Sequence, residues 1–153
     1  MQKKPKVLFL SRGNATRSQM AQGFLRTLGG ERFEATSAGI EPGKLNPMAI
    51  EAMHEAGTDI SLQQAKDVKE LLKEHFAYVI TACDSARERA PIFPFTPNLV
   101  HWSVYDPETA EHSPEEKKEV FRRVRDEIRA KVESFLNETT KKKPQLSKTA
   151  EAR

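Results

Sequence analysis

Short apolar runs alternate along this chain with segments whose apolar residues recur every three or four positions, and this alternation limits the fold more than any other feature. The runs are "KVLFL" (6–10), "YVITAC" (78–83) and "LVHWSV" (99–104), with a weaker one at "FEATSAG" (33–39). Runs this short and this apolar suit parallel strands covered on both faces. Helical patterns lie between them. Met20, Phe24 and Leu28 are spaced four apart before a stop at Gly29-Gly30. Asn46-Pro47, a capping residue and a favoured first helical residue, opens a segment with Ile50, Met53 and Ala56 on one face. A third helix is expected over roughly 65–75. Ser113-Pro114-Glu115-Glu116 is a capping box with proline at the first position, and Val120, Val124, Ile128, Val132 and Phe135 form the stripe that follows. These features predict an α/β three-layer sandwich, with a small four-stranded, mostly parallel sheet and helices on both faces. "PIFPFTP" (91–97) reads as an irregular connection.

At 153 residues the chain is one domain in size, able to bury roughly two thirds of its unfolded surface without a metal or disulfide staple. The single cysteine, Cys83, has no intramolecular partner, and the four histidines show no metal-ligand spacing. No metal or cofactor is expected. The apolar part of "MQKKPKVLFLSR" is too short for a signal-peptide core, and no stretch reaches membrane-spanning length. A cytoplasmic protein is the expectation. The net charge of +3 resides in residues 139–153, "TTKKKPQLSKTAEAR", without which 20 basic residues face 21 acidic ones. The chain therefore reads as a domain over 1–138 followed by a basic, disordered tail, with no nucleic-acid or membrane partner expected. Nothing in the sequence sets an oligomeric state.

The stretch "FLSRGNATRSQM" (9–20) carries the strongest chemical signal. A strand ends near Leu10, a turn contains Gly13 and Asn14, and a helix begins near Arg17. Gly13 and Asn14 both tolerate left-handed backbone. A turn of this kind, with a helix start, gathers backbone N–H groups into an anion-binding concavity. Arg17 adds a planar fork that can take two oxygens of phosphate, arsenate or sulfate. The candidate binding set is Ser11, Arg12, Gly13, Asn14, Ala15, Thr16, Arg17 and Ser18, at the carboxyl end of a strand, where ligands of such sheets bind.

With Gly13-Asn14 inside the spacing Ser11-(x5)-Arg17-Ser18 and "SQMAQGFLR" after it, this loop resembles the phosphate loop of the low-molecular-weight protein tyrosine phosphatase family. The thioredoxin-coupled arsenate reductase branch is the most similar. "SAGIEPGKLNPMAIEAMHEAGTDIS" (37–61), "YVITACDSA" (78–86) and "HWSVYDP" (101–107) match that branch in order. The resemblance implies catalytic positions at Ser11, Arg17 and Asp106. Arg17 would clamp the anion, Ser18 would hydrogen-bond the side chain at position 11, Asn14 would hold the loop, and Asp106 would be the general acid.

Several residues depart from the family pattern. The family nucleophile is cysteine, whereas position 11 is serine, a far weaker acid that needs an adjacent base. The reductase relay uses three thiols. Cys83 matches the second, a possible redox residue, and Ala90 stands for the third, so no thioredoxin partner is expected. Glu108-Thr109 follow Asp106-Pro107 where phosphatases tend to carry tyrosines. The branch sometimes holds potassium with Asn14, Ser37 and an acidic residue at the place of Gln22, near which the ammonium of Lys66 could substitute. His54, His75 and His112 read as surface residues and His101 as a neighbour of Trp102. Together these point to an arsenate-reductase-like oxyanion binder with impaired catalysis, with a non-catalytic binding or regulatory module as the alternative. Serine at position 11 fits a natural binder, an altered enzyme or an engineered exchange, and the further changes at Arg12, Ala15, Thr16 and Ala90 favour natural divergence.

Overall fold

A computed structural model describes residues 4–152 apart from 92, 94, 95, 110 and 111, with side chains as far as residue 140. Strands β1 (Lys6–Ser11), β2 (Glu34–Gly39), β3 (Tyr78–Thr81) and β4 (Asn98–His101) form one sheet in the order β2-β1-β3-β4. Every pairing is parallel. β1 lies at the centre, pairing Ser11 with Gly39 on one side and Leu10 with Thr81 on the other. Its apolar run is buried throughout because both faces of the sheet are covered.

Alternate residues of β1 serve two cores. Val7 and Phe9 join Ile80 and Trp102 under helices α1 (Arg17–Gly29), α2 (Pro47–Glu55) and α4 (Pro114–Ala152). Leu8 and Leu10 join Val79, Cys83 and Phe93 on the opposite face, beneath the short helix α3 (Asp84–Arg89) and a 3₁₀ turn at Val68–Leu71. Helices thus flank the sheet on both sides, in an α/β sandwich whose second helical layer is thin.

The helix starts follow local chemistry. The Asn46 carboxamide accepts the Met48 N–H at 2.8 Å, with Pro47 at the first helical position. Ser113 and Glu116 close the capping box reciprocally, at 3.0 and 3.3 Å. The stripe of α4 is Phe121, Val124, Ile128, Val132 and Phe135; Val120 is only half-buried and Phe121 takes the core position expected for it. In α1, Leu25 is buried while Leu28 is 38% exposed. Residues four apart drift by roughly 40° per step around a helix of 3.6 residues per turn, so the third of such a series leaves the face.

Two segments differ from expectation. The helix over 65–75 is reduced to the turn Val68–Leu71, because the Lys66 carbonyl accepts the Gly39 N–H at 2.8 Å and Asp67 bridges Gly39. The chain there extends the sheet before it can coil. The run 78–83 stops being strand at Thr81, and Cys83 caps α3, whose six residues are too few to show a periodic stripe. The connection 91–97 lies partly outside the described residues. The backbone of α4 continues through Ala152, so the basic segment is continuous with the last helix. Among the described residues no helix is long and apolar enough to cross a membrane.

Ile128 of α4 is fully buried in the core that α1, α2 and the sheet share. Ile128→Ala should cost about 2–5 kcal/mol of unfolding free energy, measured as a lower urea midpoint at unchanged slope.

Candidate functional site

Beyond Ser11 the chain turns back toward the segment after β2, and the two run side by side. The N–H groups of Ile40, Glu41, Gly43 and Asn46 donate to the carbonyls of Ser11, Arg12, Gly13 and Ala15, at 3.2, 2.8, 2.9 and 3.0 Å. Across a trans peptide the carbonyl of one residue and the N–H of the next point in opposite directions. The N–H groups of Arg12, Gly13, Asn14 and Thr16 are therefore aimed away from that segment. That of Asn14 meets the Ser11 hydroxyl at 3.2 Å.

Asn14 is in the left-handed region, with φ of 53°, and is fully buried. Its side chain is braced from three directions: Oδ1 accepts the Lys66 N–H at 2.9 Å and Gln19 Nε2 at 3.2 Å, and Nδ2 donates to Ser18 Oγ at 2.8 Å. Gln19 Nε2 also reaches the Asn14 carbonyl at 3.0 Å. Gly13, expected to share the left-handed role, is not in that region. The glycine that the loop demands is Gly39, where an added Cβ would lie 2.9 Å from the Gly13 carbonyl carbon. Neither Gln19 nor Gly39 was singled out in the sequence. Only the loop's path past the end of β2 reveals their roles.

A cavity of about 390 Å³ opens over this loop. Its inner wall is formed by Ser11, Thr16 and Arg17, all buried. The Ser11 and Ser18 hydroxyls are 2.6 Å apart. Thr16, at the start of α1, makes no side-chain cap, which leaves the first N–H groups of that helix without a side-chain acceptor. Arg17 is held by the Val104 carbonyl at 3.0 Å and by Asp106, 3.5 Å from its other terminal nitrogen. One of the five guanidinium N–H donors is hydrogen-bonded to Val104 and the contact with Asp106 is an ion pair, leaving donors available. Asp106 is itself positioned, its Oδ1 accepting the Glu108 N–H at 3.0 Å.

The rim is charged. Arg12 meets Glu41 at 3.4 Å and Arg89 meets the other oxygen of Glu41 at 2.9 Å. Arg89, and to a smaller extent Arg12, hold Glu41 below the ordinary carboxylate range, so it keeps its charge where a free glutamate begins to protonate. Glu108 completes the rim: its Oε2 accepts the Thr16 hydroxyl at 2.6 Å and Asn46 Nδ2 at 3.1 Å. N–H donors, a helix start and a buried guanidinium on one concavity are complementary to an anion. A larger cavity, about 540 Å³ and lined by Lys4, Lys6, Lys73 and His75, lies at the opposite ends of the strands, where Lys6 is paired with Glu74.

Cys83 lies outside this cavity, buried as the cap of α3, with its sulfur 3.4 Å from the Ala86 N–H. Ala90 ends the same helix. The residues considered for potassium do not fit an ion. Ser37 donates to Gln22, the Lys66 ammonium donates to Thr36 at 2.8 Å, and Asn14 Oδ1 is already occupied. Among the described residues no carboxylate completes such a donor set. His101 has polar partners that the sequence did not suggest, Thr81 at 2.7 Å and Asp84 at 2.9 Å.

A parallel four-stranded sheet with this loop at the end of its central strand defines a small α/β protein of the phosphatase type. The model of the family "Low molecular weight phosphotyrosine protein phosphatase" matches residues 6–146, and the chain belongs to that family. An arsenate reductase of Halalkalibacterium halodurans is 42% identical over 129 residues, which are 84% of this chain and 93% of that one. An arsenate reductase solved in its phosphate-binding state superimposes with a TM-score of 0.76 at 32% identity, covering 88% of this chain and 98% of that one. A thioredoxin-dependent arsenate reductase of Corynebacterium glutamicum superimposes with a TM-score of 0.66 at 27% identity, covering 90% of this chain and 64% of that one.

Gly39→Ala should force the loop off β2, costing about 1–3 kcal/mol as overpacking against backbone. Thermal unfolding would register the cost. Hydrogen exchange should show lost protection at Ile40, Glu41 and Gly43, whose N–H groups bond the loop.

Proposed function

We propose that this arsenate-reductase-like protein binds a tetrahedral oxyanion, phosphate or arsenate, in the loop 11–18, and that Ser11 stands at the family's nucleophile position and impairs catalysis. The carrying observation is the set of four loop carbonyls bonded to the 40–46 segment, which directs the N–H groups of 12, 13 and 16 the other way beside buried Arg17. The phosphate-binding state of a structural relative supports the same reading.

Ser11 suits binding better than attack. Its oxygen accepts the Asn14 N–H and pairs with the Ser18 hydroxyl, and no described hydrogen bond gives it a carboxylate or imidazole base. A neutral hydroxyl lacks the thiolate charge that would repel a dianion a few ångströms away. This favours the second reading, a non-catalytic oxyanion-binding or regulatory module.

Thioredoxin is left out of the proposal, although the Corynebacterium relative depends on it, because the relay needs three thiols and Cys83 is the one cysteine in the sequence. The reading carries with it a cytoplasmic setting, no nucleic-acid or membrane partner, and a functional unit within 1–138.

Arg17→Ala should weaken inorganic phosphate binding by about ten- to hundredfold in calorimetry, the scale of a lost charge-assisted hydrogen-bonding group. Equal affinity in parent and variant would refute the pocket assignment.

Ser11→Cys should gain hydrolysis of a small aryl phosphate. Its thiolate would attack phosphorus while the Asp106 carboxyl protonates the departing aryl oxygen; water deprotonated by the Asp106 carboxylate would then break the S–P bond, releasing phosphate and the thiolate, and adding Asp106→Asn should remove about 10²–10⁴-fold of that gain. The same variant should show no arsenate reduction with thioredoxin, its reductase and NADPH, since Ala90 supplies no third sulfur.

A further inference from the structure

Glu108 is the one rim carboxylate whose charge has no described cation against it. Glu41 is held by Arg89 and Arg12, and Asp106 by Arg17. The described partners of the Glu108 carboxylate are the uncharged Thr16 hydroxyl and Asn46 carboxamide, both on Oε2. Neither contact is incidental to the loop. Thr16 is 4% exposed in the cavity wall, and Asn46 is oriented by its own capping bond to Met48. Glu108 therefore fastens the turn that carries Asp106 to the wall and cannot swing aside without losing both bonds. Its other carboxylate oxygen has no described hydrogen-bond partner, and Glu108 and Thr109 are exposed at the rim.

We infer that Glu108 is a specificity-determining residue: held by Thr16 and Asn46, it makes the cavity favour a bare tetrahedral oxyanion over phosphate monoesters, which enter it but bind more weakly. The inference rests on the oxyanion reading above and deepens it. A bare oxyanion on the inner wall leaves the water around Glu108 in place. An ester substituent must leave the cavity across the rim and strip that water from an uncompensated carboxylate, which is costly. None of the described residues lining the cavity is aromatic, and Tyr105, beside Asp106, is 57% exposed and not among them.

The test is calorimetry with inorganic phosphate and phenyl phosphate at one pH and ionic strength, on the full chain and on Glu108→Gln, Glu108→Ala and Thr16→Val. Glu108 is exposed, so its variants should fold, and unfolding midpoints check this. The parent should bind phosphate at least about tenfold more tightly than phenyl phosphate, a difference of ~1.4 kcal/mol. Glu108→Gln keeps an acceptor for Thr16 but removes the charge, and should cut that preference by about threefold or more by lowering the desolvation cost. Glu108→Ala should bring the two ligands close to parity. Thr16→Val removes one of the two bonds that hold the carboxylate and should lower the preference in the same direction. A purely structural role would weaken both ligands together and leave their ratio unchanged. Parent affinities within twofold of each other, or a ratio unmoved in both Glu108 variants, would overturn the inference while the oxyanion reading stands. If the parent binds no phosphate at all, both fall.

Discussion

The site depends on four hydrogen bonds between the loop after β1 and the segment after β2. They exist because β1 and β2 are parallel and in register to their last residues, Ser11 beside Gly39, so the two chains leave the sheet together. Gly39 permits the approach, since no side chain fits between it and Gly13. Once these carbonyls are taken, the orientation of the loop's N–H groups follows from peptide geometry alone. Asn14 completes the turn in a conformation costly for most residues, and the buried bonds from Gln19, Lys66 and Ser18 hold it there.

The rest of the site is assembled around that turn from distant parts of the chain. Val104 and Asp106, after β4, fix Arg17, which opens α1. Glu108 ties the same turn to Thr16 and to the start of α2. A ligand in the cavity would thus touch a structure whose every wall is braced by another element, which lowers the reorganisation needed on binding. Cys83 lies apart from these braces: it and Ala90 sit at the two ends of α3, and the sequence holds no second cysteine.

On the proposed reading, arrangement and chemistry separate in this chain. The neutral hydroxyl of Ser11 keeps hydrogen bonds that fit the loop, to Asn14 and Ser18. On the proposed reading, exchanging sulfur for oxygen leaves the cradle intact and removes the group that becomes an anion within it. Such a site would retain recognition while losing turnover, because the two rest on different atoms.

The sequence by itself determined the four strands and the helices α1, α2 and α4, the cap at Asn46 and the capping box at Ser113, the buried character of β1 and the loop that ends it. These are local: a periodicity of two or of 3.6, a cap, a proline or an Asn-containing turn is readable within a few residues. It misplaced Leu28 and Val120 because the face that is buried depends on where the neighbouring layer lies. It missed the shortening of the 65–75 helix because the competing bond comes from Gly39, far away in sequence. The same distance hid Gln19 as a brace, Gly39 as the glycine the loop requires, Glu41 between two arginines, and Glu108 on Thr16. Each of these roles is a contact across elements, so only the tertiary structure could decide it.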